Sequence, residues 1–435
     1  MSPLTRRQLL LSTATVAAGA ATTKAAAGRG FVTRPVRHKL PNPAHSGLDH
    51  IVVLLMENRS FDHYLGWLPG AAGKQAGLHY PDNEGKLHPT HRLNERQGCG
   101  FNDPDHSWDG GRTQLDGGKM DGFRKGTNDD FALGYYTRSD LPFYSSFVDQ
   151  STVFDHWFCS ILTSTYPNRF YTHAARTDRE SNTMTTSTIP TIWDRLGDAG
   201  VSANYYFSDL PFLALWGQKY VPIARPMETW FAQAAAGQLP AFSYLDPYFL
   251  GEDQGGSNDD HPHADILRGQ SLVSRVANAL ASSPQWENSA LVVTYDEWGG
   301  FFDHVRPPVL PDDKPVGGHD HGQAGFRVPA FVMSPFARRG AIDHHVYDHT
   351  SMLKMVEWRF GLKPLAPRDA AARNMATALD FANPRKGVPS LPTVTDPGPH
   401  ICGSPDSGMA LEDPFWVELR DKVQRDRAWR HVVPV

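Results

Sequence analysis

The chain has 435 residues, 40% of them hydrophobic, enough to bury one large core or two smaller ones. A formal net charge of -5 with no basic block argues against a nucleic-acid binder. Beyond the N-terminal stretch, no apolar run is long enough to span a bilayer.

At the N-terminus, Arg6-Arg7 precede a moderately apolar stretch from Leu9 to Thr23, and the small residues Ala25-Ala26-Ala27 follow Lys24. Paired arginines, a short apolar segment and an A-x-A-like site predict a cleaved export signal over residues 1–27, read by the twin-arginine (Tat) machinery. The mature protein is then expected in the periplasm or secreted.

A Pro/His-rich lead-in to about Pro43 opens onto "HIVVLLMENRSFDHYLG", His50 to Gly66. The run Ile51–Met56, β-branched at its start, reads as a strand buried on both faces, as in parallel sheets. Ligands bind beyond the carboxyl ends of such strands, where Glu57 and Asn58 fall. The same residues also suit a helix start, with Asn58 or Ser60 as cap and Glu57 near the dipole.

From Gly70 to Gly134 the chain is rich in Gly, Asp, Asn and His and reads as long loops with short elements. Leu141–Arg176, "LPFYSSFVDQSTVFDHWFCSILTSTYPNRFYTHAAR", has a helical pattern up to a turn at Pro167. "SALVVTYDEWGG" repeats the opening design: Leu291–Tyr295 is a β-rich run ending on Asp296-Glu297. "FRVPAFVMSPFARRG" predicts a strand ending near Ser334-Pro335, and "HTSMLKMVEWRFGL" a helix stopped by Gly361. Strands alternating with helices predict a largely parallel α/β sheet. A single domain over residues 44–400 carries the long loops, with residues 401–435 as a tail packed on it. Cys99, Cys159 and Cys402 lack C-x-x-C spacing, which disfavours a zinc cage. Two of them can pair in an exported protein or all can be buried thiols, and the spacing does not choose.

Two buried strands ending on Glu57-Asn58 and Asp296-Glu297 would, if neighbours, gather three carboxylates and an amide oxygen. Such a group needs a cation among it, and oxygen ligands suit a hard divalent ion of the Ca, Mg or Mn type. In "TSTYPNRFY", the Thr165 hydroxyl is a candidate nucleophile, with Asn168 and Arg169 as donors to a phosphoryl group. A plain turn with Asn as cap explains the same residues. His106, His261, His263, His304 and His349 each have an Asp adjacent or close by that can orient the imidazole. Several histidines converging would supply donors and an acid for phosphoryl transfer.

Together, "ENRSFDHYLG", "TYPNR", "DEWGGFFDHV" and "FRVPAFVMSP", in this order between about Gly47 and Leu362, resemble a bacterial phosphoesterase family. That family includes non-specific, phosphatidylcholine-hydrolysing phospholipases C and certain acid phosphatases. The resemblance implies an alkaline-phosphatase-like α/β/α sandwich with a largely parallel central sheet, long inserted loops and a phospho-enzyme step. Carried over, it implies that Glu57, Asn58, Asp296 and Glu297, with the Thr165 oxygen, hold the metal. Thr165 matches the nucleophile, Asn168 lies near the phosphoryl oxygens, and His106 and His261 line the phosphate pocket. Asp303, His304 and His349 match motif positions for acid/base or supporting roles, and Arg59 and Arg169 match ion-pair partners. The implied activity is hydrolysis of phospholipid to diacylglycerol and a phosphorylated headgroup, with transient contact to a membrane surface. Phosphomonoester hydrolysis is the alternative, and a catalytically inactive lipid-binding protein a further one.

Overall fold

The computed structural model describes residues 39–313, 319, 321–402 and 414–433; the signal expected over residues 1–27 lies outside them. Eight strands form the central sheet: β1 (His50–Met56), β2 (Thr152–Phe154), β3 (Ala203–Phe207), β4 (Ala224–Pro226), β5 (Phe242–Asp246), β6 (Ser289–Tyr295), β7 (Ala330–Met333) and β8 (Ala341–Asp343). Their order across the sheet is β8-β2-β7-β6-β1-β5-β3-β4. All run parallel except β7, which pairs antiparallel with both β6 and β2. β1 and β6 lie at the centre and are buried on both faces apart from His50, which explains their unbroken apolar runs.

Helices used below are α1 (Trp108–Leu115), α2 (Thr165–Ala174), α3 (Ile266–Ala281), α4 (Thr350–Phe360) and α5 (Pro414–Arg425). α3 packs against β6, and α4 packs against α2. The helical pattern expected up to Pro167 is broken. A helix over Tyr144–Gln150 stops before β2, and α2 begins at Thr165 with Pro167 inside its first turn. Proline costs nothing there, because first-turn N–H groups lack helical partners anyway. Thr152, Val153 and Phe154 take the β-form instead because β7 and β8 flank them on either side.

The described residues form one compact unit. Its interior holds Arg59, Arg169, Arg327 and Arg368, each almost wholly buried and each hydrogen-bonded. The tail helix α5 buries Trp416, Leu419 and Val423. Trp416 stacks on Phe249 with ring centroids 4.0 Å apart, and the Tyr166 hydroxyl donates to the Phe415 carbonyl at 3.1 Å. Cys99 and Cys402 form a disulfide, and Cys159 is a buried free thiol.

Candidate active site

Parallel pairing sets Met56 opposite Tyr295, so the two acidic strand ends emerge side by side as the sequence pattern requires. β5 flanks β1 on its other side and ends at this same edge on Asp246. Glu57, Asn58, Asp246, Asp296 and Glu297 are all essentially inaccessible to solvent.

Arg169 occupies the middle of this group. Its guanidinium donates to Glu57 at 3.1 Å, Asp246 at 2.8 Å and Asp296 at 2.9 Å. The sequence offered Arg169 either to a phosphoryl group or to ion pairing; its donors are committed to carboxylates. Thr165, one helical turn earlier, donates its hydroxyl to the other Glu57 oxygen at 2.8 Å. Asn168 turns inward to the preceding loop. Its amide oxygen accepts from the Ile161 N–H at 3.0 Å, and its amide nitrogen donates to the carbonyls of Ile161, Thr163 and Ser164 at 3.1, 2.7 and 3.2 Å. These bonds give Asn168 the work of fixing the loop that delivers Thr165.

The carboxylates divide into two sets. Both Glu57 oxygens are engaged, and Asp296 receives Arg169 on one oxygen and the Glu297 N–H on the other at 2.7 Å. In contrast, Glu297 Oε1, Asp259 Oδ2 and both polar atoms of Asn58 are buried without a hydrogen bond of good geometry. Glu57, Glu252 and Asp259 bring carboxylate oxygens within 4.8 Å of one another. Burial pushes Asp259 and Asp296 well above the usual carboxylate range and Glu297 up to about 7, His106 partly offsetting the last. Buried hard oxygens crowded in this way, with Asp259 Oδ2, Glu297 Oε1 and Asn58 Oδ1 lacking a hydrogen bond of good geometry, fit a hard divalent cation. Arg169 supplies part of the positive charge that the sequence argument assigned wholly to such an ion.

Gly299 and Gly300 then turn the chain with φ of +62° and +71°. A Cβ on Gly299 would sit 2.3 Å from the Asn58 carbonyl, and its N–H donates to Glu297 Oε2 at 2.7 Å. This turn carries Asp303 and His304 into a neighbouring ion cluster. His304 hydrogen-bonds Asp62, while Arg327 pairs with Asp62 at 3.0 Å and Asp303 at 2.9 Å. Its hydrogen bonds among the described residues thus tie His304 to Asp62 and Arg327, not to the Thr165 group.

His106 stays with the main group, its Nε2 3.9 Å from Glu297 and its Nδ1 2.8 Å from the Pro104 carbonyl. Burial opposes its charge, but Glu297 and Asp103 outweigh burial and push the imidazole up to about 10. His261 faces it with ring centroids 6.3 Å apart. Burial and the neighbouring His263 hold His261 well below the ordinary histidine value, hence neutral. His349 lies behind the site: Trp157 donates to its Nδ1 at 3.2 Å, leaving Nε2–H to donate to the Asp296 carbonyl at 2.6 Å.

Sequence reasoning missed Asp103, Asp246, Glu252 and Asp259. Asp246 had a signal, since "AFSYLD" is another apolar strand ending on an acid. The others sit outside the sheet, Glu252 in a one-turn 3-10 helix and Asp103 and Asp259 in loops, flagged only by acids near His261 and His263 in "GEDQGGSNDDHPH" and near His106 in "DPDH".

Crowded buried oxygens, beside a hydroxyl and a charged histidine, form the donor set of a hydrolase acting on an anionic ester. Residues 48–363 match the phosphoesterase family, and the chain belongs to it; it is a hydrolase of phosphoric esters. Its relatives include non-specific phospholipase C1 of Arabidopsis thaliana, 33% identical, with 82% of this chain and 75% of that protein aligned. Phospholipase C A and phospholipase C B of Mycobacterium tuberculosis are each 32% identical; the alignments cover 79% of both chains for the first and 82% of both for the second. A solved protein of the alkaline phosphatase superfamily from Vibrio parahaemolyticus aligns at 10% identity and a TM-score of 0.36, over 80% of this chain and 72% of that one.

Proposed function

We propose that the protein is an exported phospholipase C-type enzyme in which Thr165 attacks the phosphorus of a phospholipid. The carrying observation is the Thr165 hydroxyl, buried at the start of α2 and aimed at Glu57 Oε1 from 2.8 Å. In the first half-reaction a bond forms between Thr165 Oγ and phosphorus, and the bond from phosphorus to the diacylglycerol oxygen breaks. Glu57 Oε1 is placed to take the threonine proton. His106, held charged by Glu297 and Asp103, gives a proton to the departing oxygen. In the second half-reaction water gives a proton to His106 and displaces Thr165, whose oxygen takes its proton back from Glu57, releasing the phosphorylated headgroup. A hard divalent cation held by Asn58, Glu297, Asp296 and Glu57 with the Thr165 oxygen would neutralise phosphoryl charge and acidify the hydroxyl. Arg169 fixes Glu57 and Asp296 and favours their charged forms against the burial that opposes them, and the positive end of the α2 dipole favours the anionic group.

The named phospholipases among the relatives support a lipid substrate, reached by transient contact with a membrane surface. The Arg6-Arg7 signal supports Tat export to the periplasm or medium, and the Cys99–Cys402 disulfide suits an oxidising compartment. A paired assay on phosphatidylcholine vesicles and a soluble phosphomonoester tests the substrate. Diacylglycerol release is the expected result; phosphate release from the monoester alone would defeat the lipid assignment. Replacing Arg6-Arg7 by Lys-Lys should leave the protein in the cytoplasm, and unchanged export would defeat the Tat assignment.

A further inference from the structure

The sheet edge repeats, with other residues, the design of its centre. β2 and β8 lie side by side and parallel, Phe154 opposite Asp343, and each runs straight into an Asp/His segment, "FDH" and "DHH". Pairing continues past the strands, since the Asp155 N–H donates to the Asp343 carbonyl at 3.3 Å. Asp155 is fully buried, while the side chains of His156 and His344 are 26% and 40% exposed. One Asp155 oxygen lies 2.8 Å from His156 Nδ1; the other lies 2.7 Å from His344 Nδ1 and from the Ala72 N–H. The three candidate ligand atoms all fall within 4.8 Å of one another. Beneath them, Arg327 donates to the carbonyls of Asp155 at 2.8 Å and Ala72 at 2.7 Å, so the base of the group is rigid.

We propose that Asp155, His156 and His344 form a binding site for a borderline divalent transition ion, best matched by zinc, separate from the catalytic centre. Two imidazoles and a carboxylate are zinc's preferred kind of ligand set, whereas the oxygen-rich centre at Glu57 and Glu297 suits Mg, Ca or Mn. The proton each imidazole shares with Asp155 moves to Nε2 when Nδ1 takes the metal. Exposure of both rings provides an entry path and leaves a position for water. A bound ion would fasten the ends of β2 and the edge strand β8 and, through Ala72, the loop following Gly70.

The test uses the full mature chain, saturated with whichever hard cation supports activity and then titrated with zinc alone by calorimetry. The His156→Ala/His344→Ala variant should lose one zinc equivalent, or bind it about 100-fold more weakly, while turnover of phosphoester stays within about twofold. Zinc should also shield His156 and His344 of the wild type from diethyl pyrocarbonate, read by peptide mass spectrometry, which needs no variant. Equal zinc uptake by both proteins, or equal modification of the two histidines with and without zinc, would overturn the site. Loss of turnover together with the zinc equivalent would overturn its separation from the catalytic centre.

Discussion

Thr165 and Arg169 stand one turn apart on α2 and hold opposite oxygens of Glu57, the hydroxyl at 2.8 Å and the guanidinium at 3.1 Å. A residue pair at i and i+4 on one helix thus orients a single carboxylate from both sides. Any shift of α2 moves the Thr165 hydroxyl and the Arg169 guanidinium together relative to Glu57.

Removing the hydroxyl is the sharpest probe of the attack. Thr165→Val keeps the shape and should lower kcat by about a thousandfold or more. Thr165→Ser should recover a measurable part of the rate. Acid quenching of the wild type during turnover should leave the phosphorylated headgroup esterified on the peptide containing Tyr166 and Asn168. An active valine variant with no trapped phosphopeptide would point to water as the attacking group.

Arg169→Gln removes the one guanidinium shared by Glu57, Asp246 and Asp296. Leaving buried carboxylates without their partner costs about 3–5 kcal/mol, which urea unfolding would read as a lower midpoint at an unchanged slope. Arg169→Lys should recover only part of this, since an ammonium lacks the planar fork that reaches three acids.

Asn168→Asp separates loop fixing from phosphoryl contact. The acceptor for the Ile161 N–H survives, while three carbonyls lose their donor and a charge is buried. Melting temperature and kcat should fall together, with at least about 2 kcal/mol of stability lost. A fall in kcat at unchanged stability would return Asn168 to the phosphoryl group.

Chelation should abolish activity, and adding back a divalent cation should restore it. Asn58→Ala deletes an uncharged donor and leaves charge balance intact. It should raise the cation concentration for half-maximal rate about tenfold or more, with excess cation restoring much of the rate. An unchanged cation requirement would remove Asn58 from the ligand set.

His173 lies in α2 among Trp193, Phe212, Trp216 and Tyr244, with neither ring nitrogen hydrogen-bonded. Burial, helped by the charge of Arg169, lowers it from 6.5 to about 3. The unfolded chain therefore takes up a proton below pH 6.5 that the folded chain refuses, and stability falls as pH drops from 6.5 toward 3. His173→Phe should flatten this limb of the melting-temperature profile, whatever its offset at pH 8. A slope identical to that of the wild type would remove His173 as its source.

The central strands were legible because a strand buried on both faces must be apolar throughout, so the switch to Glu57-Asn58 and Asp296-Glu297 marks where each leaves the sheet. That the two ends are neighbours was an inference from repetition, and the register of Met56 with Tyr295 bears it out. The hub at Arg169 was not legible as such, because its three partners come from strands far apart in sequence and one of them, β5, was never read. Periodicity also misled across residues 152–158, where neighbouring strands override a local helical pattern. The pairing of Cys99 with Cys402, 303 residues apart, had no local signal.

That disulfide turns most of the enzyme into a covalent ring. Thr165, Asp296, Glu297, His106 and His261 all lie between its ends, and only β1, with Glu57 and Asn58, enters from outside. A protease cutting an exposed loop anywhere within the ring opens a circle and releases no fragment. Nicked molecules should run as one band on a gel until a thiol is added and then split in two. Wherever proteases meet the protein, wear can accumulate in the loops without detaching any part of the ring.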